Sequence, residues 1–440
     1  MPTRRQNVFF PDVQPVILGG DIGAYSLARA FFEGLRVRSI VISGISTGIM
    51  RYSRFVSHIT LPNFDDDDAA LLRKLAGISH AHTGNSLLLV ASADWLVKFL
   101  VTHRERLSEL GFTVPYADPE PFEVMTDKAG FYEACEKAGV PYPKTLVYPV
   151  TGEGEISLDL TGFTFPLIAK AASTSAYHDI EFEGKKKVHK VDSAAELTTL
   201  LRDVARAGYQ GDFIIQDFIP GDDSGMRILT CYCDKNSNVR FSAYGEVLLE
   251  EHAPGALGNP AAIVTKPNPE AVAHATRLLR ECGWKGYANF DLKYDPRDGV
   301  TKFFELNPRL GRSNYYITGA GANPILFYVS EWLRGEDPDP VRVLGSKAPI
   351  DQAGEIDREH LYTVVPGALL LRYLFDPRQH AEAAHLLHRP SRNSNPMWSH
   401  FEKHPRRVAY VLAQQVNQWR KFHRFYPLAK ARADYDHARM

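Results

Sequence analysis

The sequence predicts a protein of the α/β class with more than one domain. The chain has 440 residues, of which 44% are hydrophobic, so it can form two or three domains with ample cores. Near the N-terminus, an apolar strand leads into a helix through the turn at residues 19–23, Gly-Gly-Asp-Ile-Gly. Near residue 300, two short runs rich in β-branched and aromatic residues flank a turn. Strands that alternate with helices and hairpins indicate the α/β class.

The region near residue 300 carries the most information. Residues 289–291, Asn-Phe-Asp, and residues 302–309, Lys-Phe-Phe-Glu-Leu-Asn-Pro-Arg, lie on either side of the turn at 295–299, Asp-Pro-Arg-Asp-Gly. An antiparallel hairpin closed by this turn would place Asp291 directly opposite Glu305.

Asn307 lies two residues after Glu305 and therefore shares one face of its strand. Three oxygen-bearing side chains, Asp291, Glu305 and Asn307, then meet on one patch, with Arg309 one step beyond. Hard oxygen ligands beside a guanidinium suit Mg²⁺ and the phosphates it carries. The alternative is a solvated hairpin with ordinary surface charges.

Several segments upstream suit a nucleotide site. Residues 125–138 form an amphipathic pattern in which Thr126 or Asp127 can cap a helix that has Lys128 in its first turn. An apolar strand then ends at Lys170. A second apolar strand, from residue 212, is broken by Pro and Gly at 220 and 221.

In this order, the segments resemble the ATP-grasp superfamily over about residues 125–330. The resemblance implies ATP and Mg²⁺ as cofactors, with Asp291, Glu305 and Asn307 as metal ligands and Arg309 and Lys170 as catalytic residues. It implies further nucleotide contacts from Lys128, Lys170, Ser173, Gln216, Asp217, Phe218, Ile219 and either Asp222 or Asp223. One feature departs from the family pattern, because residues 171–176, Ala-Ala-Ser-Thr-Ser-Ala, replace the usual glycine-rich loop with hydroxyl donors.

The chain also resembles one branch of that superfamily, the D-aspartate ligases and related carboxylate–amine ligases of peptidoglycan synthesis. The resemblance covers most of residues 15–335, with matching segments at 15–31, 131–136, 182–187 and 307–316. It implies an enzyme that phosphorylates an amino-acid carboxylate and joins it to the lysine of a cell-wall precursor peptide. The alternatives are a ligase of other amino acids or dipeptides and a non-catalytic nucleotide-binding protein.

The expected substrate contacts follow the metal segment. Arg312, Ser313 and Asn314 lie within a few residues of the transferring phosphate, and a guanidinium can bind a carboxylate through two hydrogen bonds. Arg227 is the alternative arginine. Asp21, in the first strand-to-helix turn, is a further candidate for substrate contact.

The predicted organisation has three parts. A Rossmann-like pre-ATP-grasp domain spans residues 1–120, a two-lobed ATP-grasp domain spans 121–340, and a helical, basic extension spans 341–440. Residues 361–440 contain 13 Lys and Arg against 5 Asp and Glu. Their basic face is either ordinary solvated surface or a contact for an anionic partner or a membrane surface.

Composition and charge narrow the classes of function and the cellular location that we expect. A formal net charge of −1 does not suit a generally basic nucleic-acid binder, and the oligomeric state is left open. The N-terminus is polar without a signal-peptide core, and the four cysteines are scattered. We therefore expect a cytoplasmic protein.

Overall fold

The structure is a computed structural model that describes residues 12–152, 154, 156–172, 177 and 180–437. The first of its three β-sheets is parallel, with the strand order β3-β2-β1-β4-β5. Its strands are β1 (Val13–Leu18), β2 (Ser39–Ser43), β3 (Val56–Thr60), β4 (Ser86–Ala91) and β5 (Phe112–Thr113). The connecting helices are α1 (Ile22–Leu35), α2 (Gly48–Arg51), α3 (Asp68–Ala81), α4 (Asp94–Thr102) and α5 (Arg104–Glu109). This is the Rossmann-like arrangement expected from the N-terminal sequence.

The turn between β1 and α1 depends on glycine. Gly19 has φ +124°, and a Cβ there would lie 2.1 Å from the Ser92 hydroxyl oxygen. The next polar residue, Asp21, caps α1 by accepting a hydrogen bond from the Ala24 amide at 2.9 Å. The turn thus brings the start of α1 close to the carboxyl ends of the strands.

The second sheet is antiparallel and has the order β6-β9-β7-β8. Its strands are β6 (Thr145–Val150), β7 (Leu167–Ala171), β8 (His189–Val191) and β9 (Gly211–Asp217). Helix α8 (Ala194–Arg206) packs on this sheet. The preceding helices, α6 (Pro119–Thr126) and α7 (Lys128–Lys137), pack in the core that the first domain shares with the third sheet. Of the two predicted caps, Asp127 is the one that caps α7, because its carboxylate accepts from the Gly130 amide at 2.9 Å.

The third sheet has seven strands in the order β14-β13-β10-β11-β12-β15-β16. They are β10 (Met226–Cys233), β11 (Val239–Glu251), β12 (Asn259–Thr265), β13 (Gly286–Asp295), β14 (Val300–Asn307), β15 (Leu361–Thr363) and β16 (Asn393–Ser394). All neighbours pair antiparallel except β15 with β16. Helix α9 (Pro269–Glu281) packs on one face, and a large apolar core shared with α1 covers the other.

The rest of the chain is mainly helical. Its elements are α10 (Tyr315–Ala320), α11 (Ile325–Phe327) with a π-helical continuation (Tyr328–Leu333), α12 (Pro340–Leu344), α13 (Gly367–Tyr373), α14 (Pro377–Leu387), α15 (Pro405–Phe425) and α16 (Leu428–His437), with 3₁₀ turns at Asp223–Gly225 and Pro390–Arg392. Strands β15 and β16 belong to the third sheet, so the C-terminal part of the chain contributes to the protein core. The exact domain boundaries stay a prediction.

A buried ion pair attaches the C-terminal segment to the first domain. Arg407, at the start of α15, pairs with Glu402, and both side chains are almost fully buried. The hydroxyl of Tyr25 in α1 donates to Glu402 at 2.7 Å. Among the described residues, no helix is long and apolar enough to cross a membrane.

Candidate active site

The hairpin β13–β14 has the predicted pairing at Asp291, and its register shifts by one residue between Asp291 and Leu292, on the side nearer the turn. Asp291 pairs directly with Glu305, and Asn289 pairs with Asn307. The Asn307 side-chain amide donates to Asp291 Oδ2 at 3.1 Å and to the Asn289 carbonyl at 3.3 Å. The three predicted magnesium ligands therefore meet on one face of the third sheet.

The electrostatics of this patch fit a divalent cation. Desolvation and the charge of Glu305 raise the pKa of Asp291 to about 7, although the Asn307 amide and Arg309 act in the opposite direction. Two carboxylates held face to face repel each other, and a cation between them removes that repulsion. Among the described residues, no group of three or more His, Cys, Asp or Glu side chains is arranged to hold a metal. The predicted magnesium ligands are two carboxylates and the amide of Asn307, and an amide is not one of these four side-chain types.

Arg309 connects the patch to the first domain. Its Nε lies 2.9 Å from Asp94 Oδ1, at the first position of α4, and its NH2 group lies 3.3 Å from Asn307 Oδ1. Asp94 thus holds the guanidinium beside the metal ligands. The sequence did not single out Asp94 as a site residue, because it lies 215 positions away along the chain.

Two lysines approach the same patch from the second sheet and from α7. Desolvation lowers the pKa of Lys170 to about 8, the Glu305 charge opposes this shift, and Lys128 and Lys187 add to it. The pKa of Lys128 is also lowered, mainly by desolvation, and its ammonium donates to the Ala172 carbonyl at 2.9 Å. A cluster of cations with lowered pKa values suits an anionic ligand. The predicted contact from Ser173 lies outside the described residues.

The predicted adenine segment forms the end of β9 and the residues after it. Gln216 is buried and donates to the Thr145 hydroxyl at 2.8 Å, while its carbonyl oxygen has no partner among the described residues. Asp217 is the last residue of β9 and accepts from the Thr164 amide at 3.5 Å.

Phe218 and Ile219 are both close to a lysine that the sequence did not identify. The ammonium of Lys293 lies 5.6 Å from the Phe218 ring centroid and donates to the Ile219 carbonyl at 2.9 Å. Lys293 lies two residues after Asp291 on β13, so its side chain lies on the same face of the sheet.

Both candidates for the ribose contact already have hydrogen-bond partners. Asp222 accepts from the Ser224 hydroxyl at 2.6 Å. Asp223 accepts from the Glu250 amide at 3.0 Å and lies 2.8 Å from His252 Nε2. The geometry leaves the choice between them open.

The predicted substrate residues lie where the first domain meets the third sheet. Arg312 donates to the buried carboxylate of Glu251 at 2.9 Å, and its Nε lies 3.9 Å from Asp21. Asp21 therefore both caps α1 and faces this arginine. Glu251 was missed by the sequence analysis, although it ends the long strand β11.

The other predicted substrate residues have different surroundings. Ser313 and Asn314 are buried, and the Asn314 amide donates to the Gly23 carbonyl at 3.2 Å. The side chain of Arg227 lies on the opposite face of the sheet. Its neighbour Ile228 pairs with Asp291, and successive side chains of a strand alternate between the two faces. The structure brings Arg312, and not Arg227, to the face that carries the metal ligands.

The surface of the basic C-terminal helix combines positive charge with exposed apolar side chains. Helix α15 contains no acidic residue, and three large apolar side chains on it, Leu412, Val416 and Trp419, are exposed by 53%, 63% and 37%. Contact with an anionic partner or a membrane surface stays a prediction.

Solved structures show which fold the chain has. The L-amino acid ligase from Bacillus licheniformis has a TM-score of 0.51 and 16% identity, covering 73% of this chain and 74% of that chain. The phosphoribosylglycinamide synthetase from Anaerococcus prevotii has a TM-score of 0.56 and 15% identity, covering 79% and 80%. At such identities the likeness concerns the fold alone. Together with the sheet architecture, it confirms the predicted fold class, the α/β architecture of the ATP-grasp type.

Sequence comparison narrows this class to a family. The D-aspartate ligase of Enterococcus faecium (strain Aus0004) is 34% identical over 363 residues, which are 82% of this chain and 84% of that protein. The carbamoyl phosphate synthase large chain of Deinococcus radiodurans is 22% identical over 254 residues, but these are only 23% of that protein. No protein-family profile matches the chain. The chain belongs to the D-aspartate ligase family and is an ATP-grasp carboxylate–amine ligase.

Proposed function

We propose that this chain joins D-aspartate to the lysine side chain of a peptidoglycan precursor peptide and converts ATP to ADP and phosphate. The observation that carries the proposal is the 34% identity to a D-aspartate ligase over most of both chains. The face-to-face carboxylates of Asp291 and Glu305 support the ATP-dependent part, since such a pair suits a metal–nucleotide complex.

The proposed reaction has two steps. First, an oxygen of the aspartate side-chain carboxylate attacks the γ-phosphorus of ATP, the bond to the bridging oxygen breaks, and ADP leaves. The lysine amine, in its neutral form, then attacks the carbonyl carbon of the acyl phosphate. The carbon–oxygen bond to phosphate breaks, and the nitrogen loses a proton to give the amide. Transfers of this kind depend mainly on positioning and on charge neutralisation by the protein.

We assign the phosphates to Lys128 and Lys170, whose ammonium groups have pKa values lowered mainly by burial. Asp291, Glu305 and Asn307 would hold magnesium, which when bound neutralises charge on the phosphates. Their register and the raised pKa of Asp291 support this assignment.

We assign the transferring phosphoryl group to Arg309. Asp94 holds its guanidinium through contacts at 2.9 and 3.2 Å, so the group is oriented before any ligand binds. A preoriented cation stabilises developing charge at little reorganisation cost.

For the α-carboxylate of aspartate we propose Arg312, with Asp21, Ser313 and Asn314 close to it. The neighbouring acids Asp21 and Glu251 offer acceptors for the α-ammonium group. Arg227 is the less favoured candidate because it follows the other face of the sheet.

Incubation with ATP, magnesium, D-aspartate and a lysine-containing precursor peptide tests the proposal. We expect a product with the mass of the amide, together with ADP and phosphate. A precursor whose lysine amine is acetylated should give no product. AMP and pyrophosphate as the nucleotide products would contradict the acyl-phosphate route. Ligation of other amino acids but not D-aspartate would instead favour a ligase of different specificity.

A further inference from the structure

A cavity of about 360 Å³ lies beside the predicted adenine segment, and one of its walls comes from the far C-terminus. Phe218, Asp223 and Lys293 line it from the ATP-grasp part, and Tyr426, Asp434 and His437 line it from the C-terminal helices. Its volume falls within the roughly 300–1,000 Å³ of small-molecule pockets. Residues more than two hundred positions apart therefore enclose one pocket.

The aromatic ring of Tyr426 is held firmly in this wall. It stacks on the His252 imidazole with ring centroids 3.5 Å apart and an interplanar angle of 11°. His252 in turn lies 2.8 Å from Asp223, and the Tyr373 hydroxyl donates to the Tyr426 carbonyl at 2.9 Å. A continuous set of contacts thus joins the C-terminal wall to Asp223, one of the two residues predicted to meet the ribose.

The cavity lies next to the predicted metal site along strand β13. Lys293 lies two residues beyond Asp291 on the same face of β13. Glu250 also lines the cavity, and desolvation together with the charges of Asp223 and Asp291 raises its pKa to about 8. A ligand whose phosphates lie at Asp291 would therefore extend into this cavity.

The chemistry of the lining suits a nucleoside. Phe218, Tyr426 and Met226 offer aromatic and apolar surface for a flat base. The carboxylates of Asp223 and Asp434 can accept hydrogen bonds from sugar hydroxyls.

We infer that helices α15 and α16, through Tyr426, Asp434 and His437, form the outer wall of the nucleoside pocket of this enzyme. The inference rests on the nucleotide-binding part of the proposed function, and it is independent of which amino acid and amine are joined. The C-terminal segment then contributes directly to nucleotide affinity, beyond its role as a helical cover on the core.

Calorimetric titration of the full-length protein with ADP and magnesium, without amino acid, tests this wall. Tyr426→Leu removes the ring that stacks on His252 and should weaken ADP binding about tenfold. Tyr426→Phe keeps the ring and should bind within about threefold of wild type. Phe425→Leu is the matched control, since Phe425 is the neighbouring, half-buried aromatic residue and does not line the cavity. Equal affinities for Tyr426→Leu and Phe425→Leu would overturn the inference.

Hydrogen–deuterium exchange of the wild-type protein provides a measurement that does not depend on a variant folding. ADP should slow exchange in α16 and leave α3, a helix of the first domain, unchanged. Unchanged exchange in α16 at saturating ADP would contradict the inference. A protein that binds ADP with this protection but forms no amide would keep the wall and refute the proposed ligation.

Discussion

Two parts of the candidate active site differ in how far neighbouring groups neutralise their charged side chains. The phosphate end is formed by Lys128, Lys170, Asp291 and Glu305. Burial there disfavours the ionised form of the side chains: the pKa of Lys170 falls to about 8 and that of Asp291 rises to about 7. At the domain junction, formed by the pairs Arg309–Asp94 and Arg312–Glu251, each arginine already has a carboxylate at 2.9 Å.

This difference indicates different tasks. Groups whose ionised forms are disfavoured in the free protein gain most when a ligand supplies the missing charge, and such groups concentrate at functional sites. The paired arginines gain less from an added ligand and instead hold guanidinium groups in fixed positions between domains. We therefore expect substitutions at the phosphate end to affect catalysis strongly with little loss of stability. Substitution of Arg312 at the junction should have a smaller and more specific effect.

The largest effect is expected for Glu305→Gln. Loss of this carboxylate should lower kcat by about 100- to 1,000-fold, the scale seen when one electrostatic contact to a reacting group is removed. The melting temperature should not fall, because the repulsion between Glu305 and Asp291 is relieved. Steady-state kinetics and thermal denaturation measure the two quantities.

The matched control for this variant is Glu246→Gln. Glu246 belongs to the same sheet but pairs with Lys266 at 2.8 Å and lies on the face of Arg227, away from the metal ligands. Its substitution should leave turnover near wild type. Normal turnover by Glu305→Gln at ordinary magnesium concentrations would remove Glu305 from the metal site.

A somewhat smaller effect is expected for Lys128→Met. We expect ATP affinity to fall by about 10- to 100-fold, which corresponds to the loss of a charge-assisted hydrogen bond to phosphate. Lys137→Met is the control, because Lys137 lies at the other end of α7, is exposed and pairs with Glu133 on its own helix. Titration with ATP compares the two variants, and similar affinities would exclude Lys128 from the phosphate site.

The phosphate end could be predicted from the sequence because it is local. The turn at 295–299 brings the two strands together, and an irregularity of one residue between the pairs Leu292–Phe303 and Asp291–Glu305 sets the two carboxylates opposite each other. Strand alternation then places Asn307 on the same face. Lys128 and Lys170 could be identified because each occupies a recognisable position, a helix start and a strand end. Short spacings and regular periodicity carry this kind of information.

The junction and the outer wall could not be predicted in this way. Asp94 meets Arg309 only because the first domain packs on the third sheet, and no local pattern encodes that contact. Glu251 resembles any acid at the end of a strand until Arg312 approaches it. Tyr426 stacks on His252, which lies far from it along the chain. Such contacts depend on how domains pack, which composition and periodicity leave undetermined.

At the junction, Arg312→Lys should raise the KM for the amino acid about tenfold and leave the KM for ATP near wild type. Lysine keeps the charge, so Glu251 stays neutralised, but it cannot form two parallel hydrogen bonds to a carboxylate. Arg227→Lys tests the rival residue in the same assay and should change neither constant. If only Arg227→Lys raises the amino-acid KM, the α-carboxylate site moves to the opposite face of the sheet.

The smallest effect concerns the pH dependence of ATP affinity, which we assign to Lys170. Its ammonium must be charged to bind phosphate, and in the free protein it loses its proton as the pH rises through about 8. ATP affinity should therefore fall between pH 7 and pH 9 by up to about tenfold, since the charged fraction falls from about nine tenths at pH 7 to about one tenth at pH 9. Lys170→Arg keeps a cation over this whole range and should flatten the profile. An equally steep fall in both proteins would assign the pH dependence to another group and would show that Lys170 is as well balanced as the arginines of the domain junction.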